Sequence, residues 1–343
     1  MDLGRWWRQR RARLLQLWAV GLVAACAVTG ASAMGYLESL QARALDLLIY
    51  LQNPRQPSGL VIVAIDDAAF DALGRRQPLP RDYLARVLRG VTRAGAAAVG
   101  FDISLRTAGA PEADRALARA IVEFGERGEG RLVVAGTSLP ARGPLADPAV
   151  ARLVVPSAPD VPVDADAVVR RASLQVGRAP AFAAAVANVP VPDPAAVHRI
   201  NFIGPAASFL IIPSDAVAAI GDAGVDIAGD NPLSGRIVLI GGTFGDGRDM
   251  HRTPYGLMPG VEIQANIVHM LVTGSLVRPA GWLAGFAVQL IAVLLAGVVM
   301  VAVRPLWGTV VCLAGALLLG VPASYVAFSR GGYWVDFLLP VAV

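Results

Sequence analysis

Four aspartates stand where short Val- and Ile-rich runs end: Asp66 and Asp67 after Leu60–Ile65, Asp102 after Ala97–Phe101, and Asp249 beyond the glycine-rich stretch that follows Arg236–Gly241. Carboxylates gathered at one sheet edge could bind a cation or an amine. They could equally accept hydrogen bonds from the N-termini of the helices that follow, which is the ordinary use of aspartate at such positions. Both readings stay open at this point. Enzyme signatures are missing: Asp66-Asp67-Ala68 lacks the second acid of a D-x-D phosphohydrolase pair, and no G-x-S-x-G elbow, H-E-x-x-H pair or Walker loop occurs. Gly241-Gly242-Thr243-Phe244-Gly245-Asp246-Gly247 is not G-x-G-x-x-G, and Asp249 would repel a phosphate, so a tight turn is expected. His198, His251 and His269 show no ligand spacing. No metal, no cofactor and no catalytic residue is expected.

The elements that must position these aspartates are legible from periodicity. Leu60–Asp66, Ala97–Ile103, Arg131–Thr137 and Arg236–Gly241 read as buried strands. Leu84, Val87, Leu88 and Val91 share one helical face, and Leu117, Ile121 and Phe124 share another. Strand alternating with helix predicts an α/β domain with a mostly parallel sheet and helices on both faces. Ligands of such sheets bind beyond the carboxyl ends of the strands, where the aspartates fall. The Pro- and Asp-rich stretch from Ala141 to Asn201 reads as hairpins or an insertion. Pro259 suits a first helical turn and Gly274 a C′ position, with Val261, Val268, Leu271 and Val272 as an apolar stripe between them.

Composition places this domain beside a membrane. Hydrophobic residues make up 55% of the chain and charged residues only 16%, which is apolar for a soluble enzyme. Runs of the ~20 apolar residues that cross a bilayer are expected as transmembrane helices at 14–34, 281–303 and 306–328, with the start of a truncated fourth at 333–343. Between them lies a domain over 35–280, long enough for its own core. Cys26 and Cys312 both fall in the apolar runs, so the domain has no disulfide framework. Every basic residue is Arg, and the pI supports no nucleic-acid reading. Arg5, Arg8, Arg10, Arg11 and Arg13 form an N-terminal tail, 1–13, expected to stay cytoplasmic, which exports the domain. Ala31-Ser32-Ala33 as a cleavage site and Val23-Ala24-Ala25-Cys26 as a lipidation box are the competing processing readings. The apolar register instead continues through Leu40, Leu45, Leu47 and Leu48, as if the first helix ran on out of the membrane.

Several ordered motifs add a resemblance. Val61–Asp67, Pro78-Leu79-Pro80-Arg81 and Val99–Asp102 resemble the opening of the type-2 CHASE domain, the cyclase/histidine-kinase-associated sensory extracellular module. Asp164-Ala165-Asp166-Ala167-Val168-Val169-Arg170-Arg171 is similar to the family's Asp-x-Asp-Gly-x-x-Arg-Arg stretch, with Ala167 in place of the usual Gly. Asn201-Phe202-Ile203-Gly204-Pro205, Arg236–Gly241, Asp249, Thr253-Pro254 and Pro259–Asn266 complete the match, the last through Gly260, Glu262 and Asn266.

The resemblance implies a sensor at the bacterial inner membrane whose stimulus is undefined. Its implied output is a cyclase or kinase beyond residue 343 or on a separate subunit. Expected partners are the lipid bilayer, a second copy in a homodimer, an extracytoplasmic ligand or protein, and the cytoplasmic effector. A membrane scaffold that binds an exported protein is the alternative, and a periplasmic hydrolase using the aspartates a third. The Tyr36–Leu51 and Pro259–Gly274 stretches are candidates for carrying motion between domain and membrane.

Overall fold

The computed structural model describes residues 3–52, 54, 57, 59–127, 130–191, 193–227, 229–245 and 249–341, with backbone alone at 3–9. The chain divides into two compact units, residues 1–52 with 277–343, and residues 53–276. Residues 35–52, expected in the central domain, group with the apolar helices instead.

The first unit opens with α1 (Leu3–Ala33) and α2 (Glu38–Tyr50). They are two helices and not one continuous run, because Gly35 at φ +82 turns the chain between them. The expected apolar stripe on α2 holds in part: Leu45 and Leu48 are buried, whereas Leu40 and Leu47 are exposed.

The central unit is built on β1 (Leu60–Ile65), followed by α3 (Asp67–Ala72) and α4 (Arg81–Arg93). Next come β2 (Ala98–Asp102), α5 (Pro111–Glu126), β3 (Arg131–Ala135), α6 (Pro148–Ala151) and β4 (Val154–Ser157). Four short strands follow, β5 (Arg171–Ser173), β6 (Gln175–Val176), β7 (Ala179–Pro180) and β8 (Val197–Arg199), with α7 (Phe182–Ala187) between the last two. The unit closes with β9 (Leu210–Pro213), α8 (Ser214–Ala223), β10 (Ile237–Gly242), the hairpin β11 (Met250–Thr253) and β12 (Gly256–Pro259), and α9 (Gly260–Val272).

Six strands form one sheet in the order β4-β3-β2-β10-β1-β9, and every neighbouring pair is parallel. Both faces are covered, as a buried parallel sheet requires. On one face Val61, Val63, Val99, Phe101, Leu132, Val238 and Ile240 pack with Leu84 and Leu88 of α4, Leu117 and Ile121 of α5, and Val217 of α8. A Cβ at Gly90 would strike the Val217 carbonyl, and one at Gly221 the Arg86 carbonyl, so two glycines let α4 and α8 cross backbone to backbone. On the other face α7 and α9 pack: a Cβ at Gly100 would meet Leu239, Phe182 and Val186.

The stretch 141–201 is therefore more than an insertion. It contributes the edge strand β4, and α7 covers the second face. The expected hairpins exist as β5 with β8 and β6 with β7.

The first unit resumes with β13 (Arg278–Pro279) and α10 (Trp282–Ala302), then α11 (Pro305–Gly315), a π-helical turn at 316–320, α12 (Val321–Gly331) and β14 (Tyr333–Trp334). Arg10–Ala33, Trp282–Ala302 and Pro305–Gly331 are long and apolar enough to cross a membrane. The helix α1 packs on α10 through Trp18, which lies on Gly297 and donates its indole N–H to the Leu294 carbonyl at 3.2 Å. Gly21 lies on Val293, and the Thr29 hydroxyl donates to Gln289 Oε1 at 3.4 Å.

The expected fourth helical run is not helical. Tyr333–Trp334 pairs in parallel with Arg278–Pro279, and Asp336 Oδ1 then accepts the Leu338 N–H at 2.9 Å, a local turn that competes with helix formation. Residues 342 and 343 lie outside the described residues.

Candidate functional site

The parallel register puts Asp66 and Asp102 at the same carboxyl edge. Ile65 pairs with Gly242 and Asp102 with Gly241, so β10 lies between the two aspartates. Two inter-strand spacings separate them, about 10 Å. Asp66 is the N-cap of α3, its Oδ1 accepting the Ala69 N–H at 2.9 Å. Asp67 accepts the Gly245 N–H at 3.0 Å and so closes the loop after β10. The expected tight turn of that loop lies partly at residues 246–248, outside the described residues. These two aspartates thus take the structural role.

Asp102 and Asp249 differ from them. A Cβ at Gly241 would meet Val261 and the Asp102 Cβ, so only glycine there lets the first turn of α9 and the end of β2 close on β10. The Asp249 carboxylate lies against Gly260 where any side chain would collide, and the Gly260 N–H donates to the Asp249 carbonyl at 2.8 Å. An anion at a helix N-terminus meets the positive end of the helix dipole. Burial, and then repulsion from Asp249, push the Asp102 carboxyl up to about 7 from its ordinary 3.8. His251 Nε2 lies 2.9 Å from Asp249 Oδ1. His251 lies in β11 two residues after Asp249, a spacing that strand geometry puts on one side. No group of three or more His, Cys, Asp or Glu residues fit to hold a metal occurs among the described residues.

The motif residues form a separate set of fastenings. Arg81 is buried with Asp114, their nearest charged atoms 3.8 Å apart, and donates from Nη2 to the Thr107 carbonyl at 3.0 Å. Burial, partly offset by Asp114, pushes its pKa down. Arg170, also buried, donates to Asp166 at 2.8 and 2.9 Å and to Asp164 at 3.1 Å, while Arg171 donates to Asp164 at 2.6 Å. Ala167 sits at φ +61 in the turn they brace, which explains a glycine preference at this position.

The helix α9 carries three buried polar side chains, and each holds a loop. Glu262 accepts the Ala207 N–H at 2.7 Å, Gln264 donates to the Pro159 carbonyl at 2.8 Å, and Asn266 accepts the Ile203 N–H at 3.0 Å while donating to the Glu262 carbonyl at 2.8 Å. Burial raises the Glu262 carboxyl, partly countered by that N–H. Asn201 donates to the Ser275 carbonyl at 3.0 Å. Gly204 is crowded by Ser208 and Pro54, and Pro254 lies in the two-residue turn of the β11–β12 hairpin, where the Thr253 hydroxyl donates to the Gly256 carbonyl.

The CHASE2 domain profile matches residues 23–303, most of the chain. The chain belongs to the CHASE2 family. CHASE2 is an extracellular sensor domain family of signalling receptors. The motif residues that carry the resemblance, Arg81, Asp166, Arg170, Asn201, Gly204, Pro254, Gly260, Glu262 and Asn266, all lie inside the matched region. Neither the curated proteins nor the solved structures yielded a match. Sequence reasoning missed Asp114, Gln264 and His251 as partners within this CHASE2 domain. Gln264 lies inside a quoted motif, whereas nothing in the sequence links Asp114 to Arg81 across thirty-three positions.

Proposed function

We propose that this CHASE2 chain is the bilayer-anchored sensor portion of a bacterial receptor, with its central unit outside the inner membrane. In this reading it passes a stimulus to a cytoplasmic output, a cyclase, histidine kinase or similar domain on this or another chain. The observation that carries it is the construction of α9. One helix fastens the 159, 203 and 207 loops through Gln264, Asn266 and Glu262, holds Asp249 at its N-terminus, and continues through residues 273–281 into an apolar helix long enough to span a bilayer. A ligand that favours one arrangement of those loops acts on this element through its different affinity for the two arrangements. Homodimerisation would supply the paired outputs that such a shift regulates. The central unit itself is proposed to have no catalytic role.

Reporter fusions test the reading. Fusions within 60–270 are expected to report an exported location and fusions after Arg304 a cytoplasmic one, as the N-terminal arginines require. A cytoplasmic central unit would overturn it.

A further inference from the structure

The carboxyl edge of the sheet holds a second feature, next to the acidic pair. An open surface depression of about 460 Å³ lies beyond the ends of β2 and β3, lined by Ser104, Arg106, Thr107, Ser138, Leu139 and Ala141, all but Leu139 exposed. Its position is where ligands of parallel α/β sheets bind. The lining contains one guanidinium and three hydroxyls but no carboxylate, and neither Asp102 nor Asp249 belongs to it.

Two observations make this a built surface. Gly136 sits at φ +125, and a Cβ there would lie 3.2 Å from Arg106 Cγ and 3.6 Å from Ser104 Oγ. The loop after β3 is thus bare where the Arg106 stem and Ser104 rest on it. The Arg106 guanidinium itself has no hydrogen-bond or ion-pair partner among the described residues. Behind the lining, Arg81 grips the Thr107 carbonyl while its buried Nε and Nη1 make no hydrogen bond among the described residues. The Arg81 charge is itself paired with Asp114 at 3.8 Å, so the charge that faces the depression is that of Arg106. The cavity between α5 and the 144–150 segment contrasts with it, since Arg115 and Arg119 share that lining with Glu123, Glu126 and Asp147.

We propose that the depression beyond β2 and β3 binds a small anion carrying a carboxylate or phosphate group. Arg106 makes the charged, two-pronged contact, and Ser104, Thr107 and Ser138 donate hydroxyls. Leu139 and Ala141 take any short apolar part. The inference rests on the sensor reading only for its meaning as a signal, because binding is measured on the purified chain whatever its topology.

The full chain in nanodiscs is titrated with inorganic phosphate in one arm and with succinate and citrate in the other, against chloride at matched ionic strength. Melting and calorimetry are recorded. Saturable stabilisation in at least one arm is expected, and the responding arm names the group. Arg106→Ala should weaken binding at least about tenfold, Arg106→Lys less, and the distant Arg152→Ala not at all. No saturable response in either arm, or an undiminished response in Arg106→Ala, overturns the proposal. Exported reporters with no anion binding would retire the anion alone, and anion binding with cytoplasmic reporters would retire the export.

Discussion

Along α9 the buried polar groups have partners: Glu262 with Ala207, Gln264 with Pro159, Asn266 with Ile203 and with the helix itself. At the carboxyl edge, a few ångströms from the first turn of the same helix, the Asp102 carboxyl has no hydrogen-bond partner among the described residues and faces the like charge of Asp249. Satisfied buried networks rigidify a fold, whereas groups held under mutual repulsion change state with modest changes in surroundings. The contrast assigns different work to the two regions. The motif side chains of α9 maintain the architecture, and the edge is where a proton or a ligand can act on it.

The largest expected effect comes from attacking the satisfied side. Asn266→Ala strips the buried Ile203 N–H of its acceptor and the Glu262 carbonyl of its second donor, and should cost about 2–3 kcal/mol, read by denaturant unfolding of the full chain in detergent. An unchanged midpoint would mean that the α9 fastenings carry little.

Asp102→Asn should act in the opposite direction at neutral pH, and its effect should depend on pH. The folded-state value of about 7 lies above the ordinary 3.8, so the unfolded chain releases this proton first. The contribution of protonated Asp102 is complete below about pH 4 and is lost as pH rises to about 7. Wild-type stability should therefore fall across that window and the Asn variant should fall less. The raised Glu262 carboxyl contributes with the same sign and remains in both. Equal slopes in the two proteins would remove Asp102 as the responsive group.

Smaller effects separate the two kinds of aspartate. Asp66→Ala removes an N-cap and should cost about 1 kcal/mol, read by the same unfolding measurement. Ala167→Gly relieves a left-handed alanine and should gain about 0.5–1 kcal/mol; a loss would show that the Asp164–Arg171 turn does not pay for its backbone conformation.

Much of the sheet was legible because its central strands are continuous Val and Ile runs, buried on both faces: the boundaries expected for β1, β2, β3 and β10 hold within a residue or two. What failed to announce itself was short or weakly patterned. The strand β4 is four residues long with Pro156 in it, tolerable only at an edge, and α7 is six residues of mostly alanine. At the site, the carboxyl-edge position of the aspartates followed from the strand ends. The split between caps and the repelling pair did not, since it depends on Gly241 and Gly260 bringing β2, β10 and α9 together. Ala167 was readable as a departure from a motif, but its left-handed backbone belongs to the turn braced by Arg170. The apolar run after Tyr333 misled because a turn at Asp336 outcompetes a helix there.

The division of labour is tested most directly by native-state amide hydrogen exchange of β10 and α9 at pH 7, comparing Asn266→Ala and Asp102→Asn with the wild-type chain in the same nanodiscs. Exchange reads local opening free energies within the central unit, without requiring the whole chain to unfold in one step. The account predicts lower protection in Asn266→Ala and higher protection in Asp102→Asn. Loss of protection in Asp102→Asn equal to that in Asn266→Ala would contradict it, and would make the edge aspartate one more fastening.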